Sequence, residues 1–117
     1  MDGGPEADAL YLDEIVELVE LIRESLAEMD EDKFLSDRMA GDATALRLGA
    51  IGEASRKLSG ELRERHSDVE WRKIYGLRNI VAHHYRRLNY RILWQIATSA
   101  LSELEKACRQ ELARLDP

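Results

Sequence analysis

The strongest constraint on the fold is the spacing of apolar residues in the first third of the chain. From Glu6 to Met29, the apolar residues Leu10, Ile15, Leu18, Val19, Ile22 and Leu26 are spaced by threes and fours from Ile15 onward, with no Gly or Pro between them. That rhythm predicts one long amphipathic helix. Glu14, Glu17, Glu20, Glu24 and Glu28 fall on its outer face as solvating charge. A helix with one apolar stripe must bury it against other helices, and no stretch of useful length shows the two-residue alternation of a strand. At 117 residues the chain is long enough for one core and too short for two. The expected architecture over 1–117 is therefore a single all-α domain, an antiparallel up-and-down bundle of about four main helices.

The remaining segments fit that plan. Asp30–Asp32 breaks the first helix, and Phe34 and Leu35 plug the bundle end from a short turn. Ser36, or Asp42 after Gly41, can cap the second long helix, which sends Leu46, Leu48, Ile51, Ala54 and Leu58 to the core. Within it, Ala45, Gly49, Ala50, Gly52 and Ala54 permit close helix approach, suiting an intrachain crossing or a dimer seam. Glu53 is the one acid in that small-residue run. It either pairs with an Arg as part of the fold or belongs to a site.

A short helix over Glu61–His66 comes next, preceded by Ser59. Ser67 or Asp68 can cap the following helix, whose apolar face is Trp71, Ile74, Leu77 or Ile80, and Val81. Gly76 lies inside that helix at a cost of about 1 kcal/mol, which signals a close contact. Asn89 can cap a last helix over Tyr90–Leu115 with a seam of Ile92, Leu93, Ile96, Ala100, Leu101, Leu104, Ala107, Cys108 and Leu112. Cys108 on that seam reads as core, not as a nucleophile. A single Cys rules out an intramolecular disulfide, and with no signal peptide the chain reads as cytoplasmic. No apolar run is long enough to span a membrane.

Charge singles out one region. The chain carries a formal charge of −6, yet Trp71–Ser102 contains no Asp or Glu and holds Arg72, Lys73, Arg78, Arg86, Arg87 and Arg91. A positive island on an acidic body suits a focused anion-handling site and argues against general coating of nucleic acid. Leu77–Tyr85, LRNIVAHHY, places Arg78, Asn79, His83, His84 and Tyr85 within about two turns. Cleaving RNA without metal needs a proton acceptor for the 2′-hydroxyl, a cation on the phosphate, and a donor for the leaving oxygen. His83 suits proton transfer, and Arg78 offers a planar fork to phosphate oxygens. Asn79, one turn before His83, can orient the imidazole. Tyr85 can donate to phosphate or stack on a base. Arg78 and His83 differ by about 140° on an ideal helix. Convergence therefore requires the helix to end near His83, a second subunit, or both. The bland alternative is a polar helix end with a basic loop. His84 reads as a flanking residue. No HExxH, CxxC, paired-Asp, phosphate-loop or dinucleotide pattern is present, so neither a metal nor a cofactor is expected.

Arg78-Asn79-x-x-x-His83-x-Tyr85 matches the R-x4-H-x-Y signature of the HEPN superfamily. YLDEIVELVELI (Tyr11–Ile22), FLSD (Phe34–Asp37), AIGEASRKLSGELRERH (Ala50–His66) and WRKIYGLRNIVAHHY (Trp71–Tyr85) resemble its HepT-like toxins. The resemblance spans about Ala9 to Leu104. It implies a metal-independent endoribonuclease toxin of a type II toxin–antitoxin system, an all-helical homodimer whose two motifs line a shared cleft. Arg78 and His83 would be the catalytic pair, with Asn79 and Tyr85 in support; Glu53 joins them as a supporting candidate from its own position, not from the motif. The implied partner is a minimal nucleotidyltransferase antitoxin that transfers AMP to the motif tyrosine, Tyr85. Members commonly carry Pro where this chain has Gly60. The competing reading is a nucleotide- or protein-binding helical module that partners a nucleotidyltransferase and cleaves nothing.

Overall fold

The computed structural model describes the backbone of residues 5–84 and 88–115 and the side chains of residues 7–79 and 88–115. Its elements are α1 (Pro5–Leu26), α2 (Glu31–Ser36), α3 (Arg38–Arg56), α4 (Gly60–Arg65), α5 (Trp71–His84), α6 (Tyr90–Gln95), a π-helical turn over Ile96–Ala100, and α7 (Ser102–Leu115). The described residues include no strand. Four long rods form the bundle: α1, α3, α5, and the composite of α6, the π turn and α7. The short α2 and α4 close its ends.

The core follows the heptad-like rhythm more strictly than expected. On α1 the fully buried positions are Leu12, Ile15, Val19 and Ile22, continued by the nearly buried Leu26 at steps of three and four. Leu10, expected on this face, is 65% exposed. It precedes Leu12 by two residues, about 200° around the helix. Leu46 is displaced from the core by the same offset: two residues before the buried Leu48, it is 65% exposed. Leu48, Ile51, Ala54 and Leu58 are buried as expected, and Phe34 fills the bundle end against Trp94, ring centroids 5.3 Å apart.

The caps explain the element boundaries. Asp30 accepts from the Lys33 N–H to start α2. Asp37, not Ser36 or Asp42, starts α3 by accepting from the Ala40 N–H at 3.0 Å. Asp42 lies inside α3 and accepts a hydrogen bond from the Tyr90 hydroxyl at 2.7 Å, which raises the tyrosine's pKa. Ser59 caps α4 through the Leu62 N–H, and Gly60 occupies the first helical position, where proline is also well suited. Neither Ser67 nor Asp68 adjoins α5, which starts at Trp71 with Glu70 O accepting from Ile74 N–H. Asn89 caps α6 through the Ile92 N–H, as expected.

The last helix is not continuous. The wider turn at Ile96–Ala100 shifts the seam, so Ala97 and Leu101 are buried while Ala100 is exposed. Ile92 is 48% exposed, leaving Leu93 to face the core. Leu104, Ala107 and Cys108 resume the seam. Cys108 is fully buried, and that burial, with Glu105 and Glu111 nearby, pushes its thiol up to about 12. It is a core residue at neutral pH. No described helix is long and apolar enough to cross a membrane.

Candidate functional site

A close helix crossing positions the candidate arginine. α3 meets α5 at Gly52, where an added Cβ would lie 2.8 Å from Ile74 O and 2.9 Å from Arg78 N. Both neighbours are backbone atoms and could not move aside without parting the helices. The small-residue run thus serves an intrachain crossing: Ala45, Gly52 and Ala54 are buried, while Gly49 and Ala50 remain half-buried. Gly76, expected to mark a close contact, has nothing among the described residues within 4 Å of its would-be Cβ.

Gly52 brings Glu53 alongside Arg78. Arg78 Nε lies 2.9 Å from Glu53 Oε2, and Lys57 Nζ lies 3.9 Å from Glu53 Oε1. Oε2 is shielded from solvent and makes no geometrically aligned hydrogen bond among the described residues. Charge therefore holds the pair without a directed N–H···O bond. The Arg78 side chain is 49% exposed, so the guanidinium keeps a solvent face on which an anion could be received. Asn79 is exposed beside it. The two readings of Glu53 converge, because its arginine partner is the candidate catalytic one.

α5 is helical through His84, and positions 85–87, where the helix was expected to end and turn, lie outside the described residues. The side chains of His83 and His84, and Tyr85 altogether, lie outside the described residues. Ile80, Val81, Arg86 and Arg87 also lie outside the side-chain description. The described part of the site is Glu53, Arg78 and Asn79 on the α3–α5 face. No group of three or more His, Cys, Asp or Glu among the described residues is arranged to hold a metal ion.

A second polar centre, between α4 and α7, escaped sequence reasoning. Glu111, 4% exposed, accepts from Arg65 Nη2 at 2.7 Å and Nε at 3.2 Å and sits 2.7 Å from His66 Nε2. The hydrogen bond from Arg65, with a further contribution from His66, draws the Glu111 pKa below its ordinary value. Nearby, the Ser59 N–H and hydroxyl donate to the two carboxylate oxygens of buried Asp8 at 2.8 and 2.7 Å. Trp71 Nε1–H donates to Arg63 O and His66 O, closing the α4–α5 turn. Glu111 lies on the buried side of α7, and the sequence reading of that helix named only its apolar seam. Only its buried position reveals it.

Two grooves of several hundred cubic ångströms flank these regions. One of about 580 Å³ lies over Asp8, Ser59, Arg65 and Glu111. The other, about 670 Å³, is floored by Ile74, Leu77, Ile96 and Leu104 and lipped by Gly76. Arg78 lines neither.

Residues 15–111 match the family described as Ribonuclease HepT-like. A chain of Caldanaerobacter subterraneus subsp. tengcongensis named "Putative RNase TTE0752" is 35% identical over 104 residues, 89% of this chain and 93% of that one. One of Methanocaldococcus jannaschii named "Putative RNase MJ1380" is 32% identical over 82% of this chain and 88% of its own. "Probable ribonuclease HepT" of Thermococcus cleftensis is 30% identical over 81% of this chain and 86% of its own. No solved structure matches significantly. The sequence patterns, the all-helical bundle and these matches agree: the chain belongs to the HepT-like ribonuclease family.

Proposed function

We propose that this protein is a metal-independent endoribonuclease toxin of a type II toxin–antitoxin pair, acting as a symmetric homodimer. The observation that carries this reading is the half-exposed Arg78, set by the Gly52 crossing and steadied by Glu53, in the matched stretch that also contains Asn79 and His83. In the reaction, His83 takes the proton from a ribose 2′-hydroxyl and the 2′-oxygen attacks phosphorus. The P–O5′ bond breaks, and a protonated imidazole, its own or the partner's, supplies a proton to the leaving 5′-oxygen. Arg78 stabilises the charge that builds on the non-bridging phosphate oxygens. Asn79 orients the imidazole, and Glu53 positions the guanidinium.

The dimer is supported by an apolar stripe on α3. Met39 and Leu46 are 83% and 65% exposed, with Ala43 exposed between them, at i, i+4 and i+7. The same helical line continues through Ala50 to Glu53, so a second copy seated there would bring its motif towards the first. Control acts through Tyr85. The antitoxin nucleotidyltransferase brings ATP, the phenol oxygen attacks the α-phosphorus, and pyrophosphate leaves. The resulting anionic adduct competes with RNA phosphate for Arg78.

Purified protein incubated with RNA in excess chelator tests the activity. Cleavage that His83→Ala removes is expected. Equal cleavage by His83→Ala, or none by the unmodified wild type under any condition, contradicts the reading. Intact-mass measurement after co-expression with a minimal nucleotidyltransferase antitoxin tests the control, with AMP additions mapping to Tyr85 and lost in Tyr85→Phe.

A further inference from the structure

Gly76 occupies the middle of α5, a position where glycine weakens a helix and where packing does not require it. Nothing among the described residues approaches its would-be Cβ within 4 Å, in contrast to Gly52 and to Gly41, which lies under the Tyr90 ring. Arg72, Gly76 and Asn79 stand at i, i+4 and i+7 and form one stripe, which the helix carries on to position 83. Arg72 and Asn79 are exposed. The other described α5 cations are engaged: Lys73 pairs with Glu70 at 3.2 Å and Arg78 with Glu53. Arg72 has neither an ion pair nor a hydrogen bond among the described residues, and no acid occurs from Trp71 to Ser102.

We propose that this stripe is a substrate subsite: the bare helix surface at Gly76 receives the sugar–phosphate backbone of single-stranded RNA. Arg72 neutralises a phosphate on one side of Gly76, and Asn79 donates a hydrogen bond on the other. The proposal rests on the ribonuclease reading and extends it along α5, away from the motif. Arg72 and Asn79 lie roughly 10 Å apart along the axis. That covers about three nucleotides at roughly 3.4 Å each in a stacked strand. On one side Gly76 borders the apolar groove, which Asp68, Glu70 and Glu103 also line, so the strand is placed on the other side, along Arg72 and Asn79, where the unpaired cation suits an anion.

Anisotropy with a fluorescent single-stranded 2′-O-methyl oligonucleotide, which cannot supply the attacking hydroxyl, tests this alongside cleavage of ordinary RNA. Gly76→Ala should melt higher than wild type yet bind about threefold more weakly, a pairing of signs that a purely structural glycine would not give. Gly76→Gln should bind at least about tenfold more weakly. Arg72→Ala should weaken binding and make the log–log salt slope shallower by about 0.7, the loss of one phosphate contact. Should Gly76→Gln fail to fold, Gly76→Ala and Arg72→Ala decide the matter. Wild-type affinity in the Gly76 and Arg72 variants, with wild-type cleavage intact, overturns the subsite alone. Loss of dimer on sedimentation, with the affinity of each protomer unchanged, also overturns it and assigns the stripe to a second copy. A wild type that neither binds nor cleaves overturns the ribonuclease reading as well.

Discussion

The α4–α7 centre and the α3–α5 face use the same residue types to opposite ends. At Glu111 a buried carboxylate is met by Arg65 and by His66, with Asp8 and Ser59 forming a second closed pair nearby. The strong bonds at that end join one part of the chain to another. At Arg78 a half-exposed guanidinium is held by one acid without an aligned hydrogen bond, and Asn79 beside it faces solvent. The first arrangement uses its polar capacity in holding the fold. The second keeps capacity available for a ligand. Charge counting would rank the two alike, whereas the satisfaction of each polar group separates them.

The contrast can be broken from either side. Glu111→Ala strands Arg65 and His66 against a hole and should cost about 2–3 kcal/mol, below the usual 3–5 for a buried pair because Arg65 is partly open to water. Chemical denaturation measures it, and an unchanged midpoint would remove Glu111 from the fold's supports. The same residue predicts an acid limit. Its folded pKa is lowered, so its stabilisation is fully present above the ordinary value of 4.5 and is lost as pH falls through the depressed folded value. Glu111→Gln should flatten that acid limb. Gly52→Ala couples the two sides: a Cβ against two backbone atoms forces α3 from α5, costing about 1–3 kcal/mol and displacing Arg78. Cleavage should fall further than the stability loss explains, and a fully active Gly52→Ala would sever the crossing from the site. Ser59→Ala, which removes both the α4 cap and the hydroxyl's bond to buried Asp8, should cost about 2 kcal/mol and leave cleavage alone. Glu53→Gln keeps the shape but not the charge. It should slow cleavage about tenfold with little change in melting.

The long rods were legible because three- and four-residue spacing depends only on local geometry. The same spacing, applied too loosely, placed Leu10 and Leu46 in the core, although each lies two residues from a truly buried position. Gly76 and Gly52 show the limit more sharply. Both interrupt helical patterns, and a close approach was expected at Gly76 as well as along the small-residue run, yet among the described residues only the run, at Gly52, makes it. Which glycine meets another backbone depends on how the helices cross, a non-local quantity. The π turn was invisible for a similar reason, since tertiary packing decides where a long seam gains a residue. At the site, Arg78 and Asn79 stood out through the charge island, and pairing with an Arg was one of two readings for Glu53. The Asp8–Ser59 and Glu111–Arg65 links span 51 and 46 residues and left no local trace.

The most direct test is a paired measurement on Arg78→Ala and Glu111→Ala: RNA cleavage with chelator present, and the denaturation midpoint, on the same preparations. The account predicts that Arg78→Ala loses about 10²–10³-fold in cleavage while its midpoint stays near that of wild type. Glu111→Ala should show the reverse pattern once folded. An Arg78→Ala protein that cleaves RNA at the wild-type rate, or that loses activity only because it unfolds, would contradict it.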